Sequence, residues 1–254
     1  MTEAVLVDIN EAVITITLNR PAAKNAANKA LAEGLAAAID ELESNDQLKV
    51  GIITGAGNTF CAGMDLKAFV SGESPVIEGR GFAGICDYDI SKPLIAAVEG
   101  YALAGGFELA ISCDLIVAAD NAKFGIPEAK RGLVAGAGGL LRLPKQMPSR
   151  IAMELALTGD FIDAQRLYEL GLINQVSAPQ GALQAARELA SKIAANAPMA
   201  VSISKKVVAA APDWSRQDMF AEQQKLIQPI FTSEDAIEGA TAFAEKRAPQ
   251  WKGK

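Results

Sequence analysis

The chain has 254 residues, of which 50% are hydrophobic, and it carries a formal net charge of −6. These values allow one large domain, or one domain with a small appendage, and they argue against nucleic acid as a partner. Cys61, Cys86 and Cys113 form no C-x-x-C spacing, which argues against a disulfide framework or a zinc ribbon and indicates a reducing compartment. Because the N-terminal segment has no leader pattern and no apolar run approaches the roughly 18 residues that span a bilayer, we expect a soluble cytoplasmic protein without a membrane partner.

The first three quarters of the chain alternate between strand and helix patterns. Residues 4–19 predict a β-hairpin, because apolar residues alternate with polar ones on both sides of Asn10 and Glu11. A helix is predicted from Asn28, which can cap its first turn, and it is followed by a strand over residues 50–54. The apolar runs 94–98 and 115–119 predict buried strands on either side of a helix that contains Glu108. This alternation, which continues to residue 176, indicates an α/β architecture.

Beyond Pro179 the strand patterns stop and the composition changes. Four amphipathic segments follow, at residues 180–195, 198–210, 215–228 and 233–247. We therefore predict a core over residues 1–195 and a helical region over residues 196–254.

Two glutamates are the main candidates for chemistry. The chain has no histidine, so proton transfer near neutral pH falls to carboxylates, or less readily to lysine, tyrosine or cysteine with a shifted pKa. Glu108 and Glu128 each follow a glycine-bearing segment within an apolar stretch, where burial can raise the pKa of a carboxyl group. A lone glutamate in such a place can instead be a capping or ion-paired residue.

The glycines of residues 55–60 invite comparison with a dinucleotide-binding motif. Phe60 occupies the third glycine position of G-x-G-x-x-G, and no N-terminal βαβ unit surrounds the segment. We therefore interpret residues 55–58 as a turn between elements. The glycine cluster at residues 136–139 lies before an apolar helix and predicts a tight turn or a close backbone approach.

Eight short motifs are spread over nearly the whole chain, at residues 19–26, 60–66, 92–102, 104–110, 124–128, 136–143, 157–159 and 243–247. Taken in this order and at these separations, they resemble the crotonase superfamily, which is the enoyl-CoA hydratase/isomerase family. The resemblance implies an α/β crotonase fold, in which ββα units form a spiral and a C-terminal helical region mediates assembly into trimers. Trimers of this family often pair into hexamers, so a homotrimer or homohexamer is expected.

The resemblance also implies an oxyanion hole made by the backbone N–H groups of Met64 and Gly105. Such donors stabilise the enolate charge that builds on a thioester oxygen, and each contributes on the order of 3 kcal/mol. The hydratases of the family have glutamates at positions similar to Glu108 and Glu128, whereas many isomerases, hydrolases and dehalogenases keep one or neither. The implied substrate is an acyl-CoA thioester, with no metal and no separate cofactor, since coenzyme A is part of the substrate.

Three basic residues are candidate partners for the phosphates of coenzyme A, although a solvated surface position is an equal alternative for each. Arg20 and Lys24 lie near the first strand, and Lys67 follows the loop that contains Met64. Ala62, Asp65 and Leu66 are similar to positions that hold the adenine and pantetheine parts. Phe243 and Lys246 resemble a C-terminal pair that contributes to the same site, sometimes from a neighbouring subunit.

The chain departs from the close hydratases at two places that we expect beside the acyl pocket. Ile126 stands where a hydratase often has glutamine, and residues 133–135 replace a proline-containing approach to the glycine cluster. The segment 79–88 is expected to line the acyl end, with Phe82, Ile85, Cys86 and Tyr88 as its apolar residues. The acyl chain length and type stay open.

The combined prediction is an enoyl-CoA hydratase, which adds water reversibly and syn to a trans-2-enoyl-CoA to give a 3-hydroxyacyl-CoA, as in fatty acid β-oxidation. An isomerase that uses the same enolate with one glutamate is the nearest alternative. A non-catalytic acyl-CoA binder is the alternative from another class. The sequence leaves open the physiological direction, the pathway and the choice between trimer and hexamer.

Overall fold

A computed structural model describes residues 3–254. Met1 and Thr2, the first residues of the N-terminal segment considered above, lie outside the described residues. In the first part of the chain the strands and α-helices are β1 (Val5–Asn10), β2 (Val13–Leu18), α1 (Lys29–Ser44), β3 (Val50–Gly55), α2 (Leu66–Val70), β4 (Val76–Ile77), β5 (Gly81–Phe82), β6 (Leu94–Val98), β7 (Tyr101–Leu103) and α3 (Gly105–Ser112). They are followed by β8 (Leu115–Ala119), β9 (Lys123–Gly125), α4 (Gly139–Gln146), α5 (Ser149–Thr158), β10 (Ile162–Asp163), α6 (Ala164–Glu169), β11 (Gln175–Ser177), α7 (Ala182–Ala194), α8 (Pro198–Ala210), α9 (Met219–Ile227) and α10 (Glu234–Glu245).

The main sheet has six strands in the order β1-β2-β3-β6-β8-β11. Strands β1 and β2 pair antiparallel, with Val5 opposite Leu18, so the predicted hairpin is confirmed. The other neighbours in this sheet pair parallel, with helices in the connections between them. The prediction of an α/β architecture is therefore confirmed.

Both faces of the main sheet are covered, and alternate residues of one strand enter two different cores. Ile53 on β3 packs into a core shared with α1 and α3, whereas its neighbour Ile52 packs into a smaller core with α7. On β6, Ala96 and Ile95 divide in the same way. Burial on both faces explains why these strands have continuous apolar sequences instead of an apolar–polar alternation.

Helix α1 begins where its sequence predicts. The side chain of Asn28 accepts a hydrogen bond from the backbone N–H of Leu31 at 3.1 Å, which satisfies one of the free donors of the first turn. Leu31, Leu35 and Ile39 are fully buried along one face. Their helical spacing is what places them together against the sheet.

The four helices predicted after Pro179 are confirmed as α7 to α10, within four residues at each end. Helix α8 contacts the core through the ion pair of Lys205 with Asp114, at 2.8 Å. Large apolar side chains of the last two helices and their connection, such as Phe220, Phe231 and Phe243, are exposed. The boundary between residues 195 and 196 stays a prediction. Within residues 3–254, no helix is long and apolar enough to cross a membrane.

The polar stretch 71–80 contains an element that its sequence did not indicate. Strands β4 and β5 pair antiparallel as a short hairpin, with Val76 opposite Phe82. Two-residue strands are too short for any periodic pattern, which explains why they were missed. Arg80 ties this hairpin to α1 through two hydrogen bonds to the carboxylate of Asp40, at 2.9 and 2.8 Å.

The loops at the carboxyl end of β2 and β3 are joined by a buried side chain. Asn25 is fully buried, and its Oδ1 accepts from the backbone N–H of Arg20 at 2.8 Å. Its Nδ2 donates to the carbonyl oxygens of Ala56 and Thr59, at 2.8 and 2.6 Å. Asn25 therefore ties the loop after β2 to the loop after β3 through its side chain.

Replacing Asn25 with alanine should lower the free energy of unfolding by at least about 2 kcal/mol, because three buried backbone groups lose their partner. Asn121→Ala is the matched control, since Asn121 is an exposed turn residue and should change stability by less than about 0.5 kcal/mol. Urea unfolding of both variants measures the difference. Equal stabilities would contradict the structural role of Asn25.

Candidate active site

A cavity of about 1010 Å³ opens between the first loops, the β4–β5 hairpin and the start of helices α3 and α4. Its wall combines apolar side chains such as Phe69, Phe82 and Leu141 with a few polar ones. Met64, Gly105, Glu108 and Glu128 all line it, so the four predicted catalytic residues are brought to one place. A concave apolar site with convergent polar groups is the usual form of a small-molecule site.

Two backbone segments meet at the cavity wall, and glycine is what allows their contact. Gly63 has φ of +99°, and a Cβ atom on it would lie 2.8 Å from the Cβ of Ala104 and 3.3 Å from the nitrogen of Gly105. On the other side, Met64 forms an isolated parallel bridge with Ala27. The segments that carry the N–H groups of Met64 and Gly105 are thus held in direct contact.

Both N–H groups are available to a ligand. Among residues 3–254, no protein acceptor takes a hydrogen bond from the nitrogen of Met64 or of Gly105. Gly105 is the first residue of α3, so its N–H lies at the positive end of the helix dipole. A Cβ at Gly105 would lie 2.5 Å from the ring of Phe82, so a larger residue would not fit at this position.

Ala104, which precedes the helix, has a backbone conformation that alanine seldom adopts. Its φ is +53° and its ψ is −131°. The surrounding hydrogen bonds hold it there: its N–H donates to the carbonyl of Gly125 at 2.8 Å, and its carbonyl accepts from the N–H groups of Phe107 and Glu108 at 2.9 and 3.1 Å. This conformation turns the chain sharply from β7 into α3 and directs the start of the helix at the cavity.

Cys61 connects the two segments, a role that its sequence did not reveal. Its carbonyl accepts from the N–H of Leu103 at 3.0 Å, and its Sγ accepts from the N–H of Gly63 at 3.4 Å. Burial raises the pKa of the thiol to about 11, so Cys61 is a neutral hydrogen-bonding group and not a nucleophile. A sequence signal was absent because a buried cysteine most often acts as a small apolar residue.

Glu108 is a buried carboxylate held by the backbone of the glycine cluster. It is only 2% exposed, and its Oε1 accepts from the N–H groups of Ala137 and Gly139 at 2.7 and 2.8 Å. A Cβ on Gly139 would lie 3.0 Å from this oxygen, which accounts for the predicted close approach. Burial raises the pKa of Glu108, while the two N–H donors and the charge of Arg142 partly oppose that rise.

Glu128 lies in a 3₁₀ helix, Pro127–Arg131, on the same cavity. Burial raises the pKa of its carboxyl group, and the negative charge of Glu108 raises it further. Its Oε2 is buried and has no hydrogen-bond partner within residues 3–254. A buried carboxyl oxygen without a partner is costly when ionised, so the protonated form is favoured.

The two glutamates therefore differ in their surroundings. Glu108 has one oxygen fixed by two donors, which supports the ionised form, while Glu128 has none of this support beyond its own backbone N–H. Such a pair can accept a proton at one carboxyl and donate from the other.

Within residues 3–254, no cluster of three or more His, Cys, Asp or Glu residues could hold a metal ion.

The residues predicted to bind coenzyme A are dispersed. Ala62 and Leu66 line the cavity, whereas Lys24 and Lys67 are exposed and do not. Lys24 lies 5.7 Å from the centre of the Tyr101 ring. Phe243 and Lys246 are exposed on and just after α10, outside the cavity wall.

Asp65 and Arg20 have partners in the fold. Asp65 caps α2 and forms an ion pair with Arg20 at 2.9 Å. Burial alone would raise the pKa of Asp65, but the hydrogen bonds from Arg20 and from the N–H of Ala68 lower it overall. The guanidinium of Arg20 thus holds the loop that carries Met64 and Asp65, which leaves it less free for a phosphate than its sequence position indicated.

The expected acyl lining is only partly correct. Phe82 and Cys86 line the cavity, but Ile85 is buried in the core and Tyr88 stacks on Arg80, 4.0 Å from its guanidinium carbon to the ring centre. Ile126 is also a core residue and does not line the cavity, because the backbone turns at Pro127. Leu133 and Val134 do line it, as expected, while Ala135 packs into the core.

Three basic residues of the wall were missed: Arg131, Arg142 and Lys145. Arg142 donates to the carbonyl oxygens of Cys86 and Ala137, at 2.6 and 3.2 Å. No sequence pattern marks it, since basic residues on a helix most often lie on a solvated face. The one indirect signal is Gly138, whose missing Cβ leaves the space that the Arg142 side chain occupies.

Comparison with known proteins agrees with this arrangement. A family model described as enoyl-CoA hydratase/isomerase matches residues 8–254. A crystal structure of an enoyl-CoA hydratase from Mycobacterium tuberculosis is 57% identical, covers both chains completely and superposes with a TM-score of 0.98. The expected crotonase fold is thereby confirmed.

Other relatives differ in the acyl group that they name. A carnitinyl-CoA dehydratase of Proteus mirabilis is 40% identical over 262 residues, which covers all of both chains. A crystal structure of a carnitinyl-CoA hydratase from Mycobacterium avium is 42% identical, with a TM-score of 0.79 and complete coverage of both chains. The similarity therefore extends to enzymes of the same reaction type that act on different esters.

The raised pKa of Glu128 predicts a pH-dependent stability effect. A carboxyl group whose pKa is higher in the folded than in the unfolded state costs stability as the pH rises above its unfolded value of about 4.3. Glutamine does not titrate and avoids this cost. The free energy of unfolding of Glu128→Gln, relative to that of the parent chain, should therefore be higher at pH 8 than at pH 4. Urea unfolding at both pH values measures this change, with Glu73→Gln, an exposed position, as the control. A gain no larger than that of the control would contradict the assigned environment.

Proposed function

Because the chain belongs to the enoyl-CoA hydratase/isomerase family, we propose that it catalyses the reversible syn addition of water to a 2-enoyl-CoA ester, giving a 3-hydroxyacyl-CoA. The observation that supports this most strongly is the pair Glu108 and Glu128 on one cavity with the two free N–H groups of Met64 and Gly105. Hydration and dehydration are the forward and reverse directions of the same reaction, and both use the same groups.

In the proposed hydration, the thioester oxygen lies between the N–H groups of Met64 and Gly105. Ionised Glu108 removes a proton from a water molecule as its oxygen bonds to C3 of the substrate. The electrons of the C2–C3 double bond move to C2 and the thioester, and the resulting enolate is stabilised by the two N–H donors. Glu128 then donates its proton to C2, which completes the addition of one water.

After this step the protons are exchanged between the carboxyls. Glu108 is left protonated and Glu128 ionised, so one proton must pass from the first to the second through water before the next turnover. The different environments of the two groups favour this return. Glu108 has two donors to its carboxylate, whereas Glu128 has a buried oxygen that finds no partner among the described residues 3–254. The same asymmetry sets which carboxyl is the base.

The isomerase alternative needs only one of the two carboxyls, since a single glutamate can move a proton between carbons. A binder without activity needs neither.

Four further predictions stay part of the proposal. They are a trimeric or hexameric assembly, a cytoplasmic location, the absence of a metal or separate cofactor, and a coenzyme A site formed by Lys24, Ala62, Asp65, Leu66, Lys67, Phe243 and Lys246. Because Phe243 and Lys246 do not line the cavity of their own subunit, we propose that they contribute to the site of a neighbouring subunit.

Replacing Glu108 or Glu128 with glutamine should each lower the rate of hydration by about 10² to 10⁴-fold, because each removes one proton transfer. The assay follows loss of the conjugated thioester absorbance of 2-enoyl-CoA esters and detects the added water by mass. Glu73→Gln is the control for loss of an exposed glutamate and should keep full activity. Unchanged mass with a new double-bond position, or full activity of either glutamine variant, would contradict the proposed mechanism.

A further inference from the structure

The turn that holds Glu108 is tied to the fold by side chains. Residues 134–137 belong to no helix or strand, and no backbone–backbone hydrogen bond involves them among residues 3–254. The N–H of Ala137 donates to Oε1 of Glu108 at 2.7 Å, and the carbonyl oxygen of Ala137 accepts from the guanidinium of Arg142 at 3.2 Å. Glu108 and Arg142 therefore grip this segment from its two sides.

Arg142 holds the peptide that lies between the two donors. Those donors to Glu108 are the N–H groups of Ala137 and Gly139. The peptide bond that joins Ala137 to Gly138 stands between them along the chain, and it supplies the carbonyl that Arg142 binds. Because a peptide unit is planar and rotates as one piece, fixing this carbonyl restricts the directions in which the two neighbouring N–H groups point.

The guanidinium of Arg142 is itself fixed in place. It is half-buried, and it donates a second hydrogen bond to the carbonyl oxygen of Cys86 at 2.6 Å. It also packs against Gly138, where a Cβ atom would collide with it, and the φ of +100° at Gly138 is one that suits glycine. The glycine cluster thus leaves room both for the carboxylate of Glu108 and for the arginine behind the turn.

The positive charge of Arg142 acts on Glu108 as well. Burial raises the pKa of Glu108, whereas the two N–H donors and then Arg142 lower it. The other titratable groups of the cavity wall are Cys86, Asp87, Glu128, Arg131 and Lys145. Burial raises the pKa of the Cys86 thiol to about 12, so it is neutral, and the charge of Arg131 lowers the pKa of Glu128. Asp87 is exposed, and Lys145 is paired with Asp213 at 2.7 Å.

On the basis of the proposed hydration, we propose that Arg142 is a positioning residue for the general base. It acts through the turn at residues 136–139. The guanidinium fixes the peptide between the two donors, and the donors fix Oε1 of Glu108. The carboxylate is thereby kept ionised and in place to take a proton from water, and the role requires no contact between Arg142 and the substrate.

Replacing Arg142 with methionine removes both the hydrogen bonds and the charge. With crotonyl-CoA, kcat should fall about tenfold to hundredfold, because a displacement of a reacting group by about 1 Å can cost about 10²-fold, while KM stays nearly unchanged. Glu108 must be ionised to accept a proton, so kcat falls at low pH. Loss of the positive charge raises the pKa of Glu108 and should move this fall to higher pH by about one unit.

Two further variants separate the contributions. Arg142→Lys keeps a positive charge but lacks the planar fork that spans two carbonyl oxygens. It should also lose kcat, but its fall at low pH should lie closer to that of the parent chain, and it serves for the test if Arg142→Met does not fold. Arg150→Met is the control, since Arg150 is exposed and does not line the cavity, and it should change neither kcat nor the pH profile.

The Glu108→Gln background distinguishes positioning from general damage to the site. There the carboxylate is already absent, so adding either Arg142 variant should lower the remaining rate by less than about twofold. An equal fold-loss in both backgrounds, or a change in KM alone with the pH profile in place, would overturn the inference while hydration itself stands. Failure of both Arg142 variants to fold would also count against it, because the fold would then need Arg142 beyond the turn that holds Glu108. No hydration of crotonyl-CoA by the parent chain would instead overturn the proposed function, and this inference with it.

Discussion

The buried carboxylate of Glu108, held by the backbone of the glycine cluster, is the interaction on which the site depends. An ionisable group that is 2% exposed needs fixed donors, and the N–H groups of Ala137 and Gly139 supply them. The carboxylate can come this close to them because Gly139, the first residue of α4, has no side chain in the way. One carboxylate oxygen on α3 therefore holds the first residue of α4 and the turn before it.

Arg142 connects the turn that holds Glu108 to another part of the cavity wall. It lies on α4 and donates to the carbonyl of Ala137, in that turn, and to the carbonyl of Cys86. One turn before Glu108, at the start of α3, Gly63 and Ala104 bring the N–H groups of Met64 and Gly105 together. Donors placed in advance do not have to reorganise as charge develops, which is the main advantage of such a site in catalysis. A cost accompanies this arrangement, because a buried oxygen of Glu128 has no hydrogen-bond partner in the part of the chain that the structure describes.

Much of this architecture could be predicted from the sequence. The apolar periodicity of α1 and the alternation of β1 and β2 are local signals, and they placed these elements within a few residues. The ordered motifs placed Met64, Gly105, Glu108 and Glu128 on one site, since their order along the chain is tied to the fold. The β4–β5 hairpin was missed because its strands are too short for a period. Arg142 and Cys61 were missed because their roles come from contacts with residues up to 56 positions away, which no local pattern encodes.

In the proposed mechanism, the N–H groups of Met64 and Gly105 polarise a bound thioester carbonyl. Infrared difference spectroscopy with crotonyl-CoA labelled with ¹³C at the carbonyl tests it directly, using the Glu128→Gln variant so that the substrate persists. Two hydrogen bonds to the oxygen weaken the carbon–oxygen double bond, so the carbonyl stretch of the bound ester should lie at a lower frequency than that of the same ester in water. A frequency equal to or above the value in water would contradict the account.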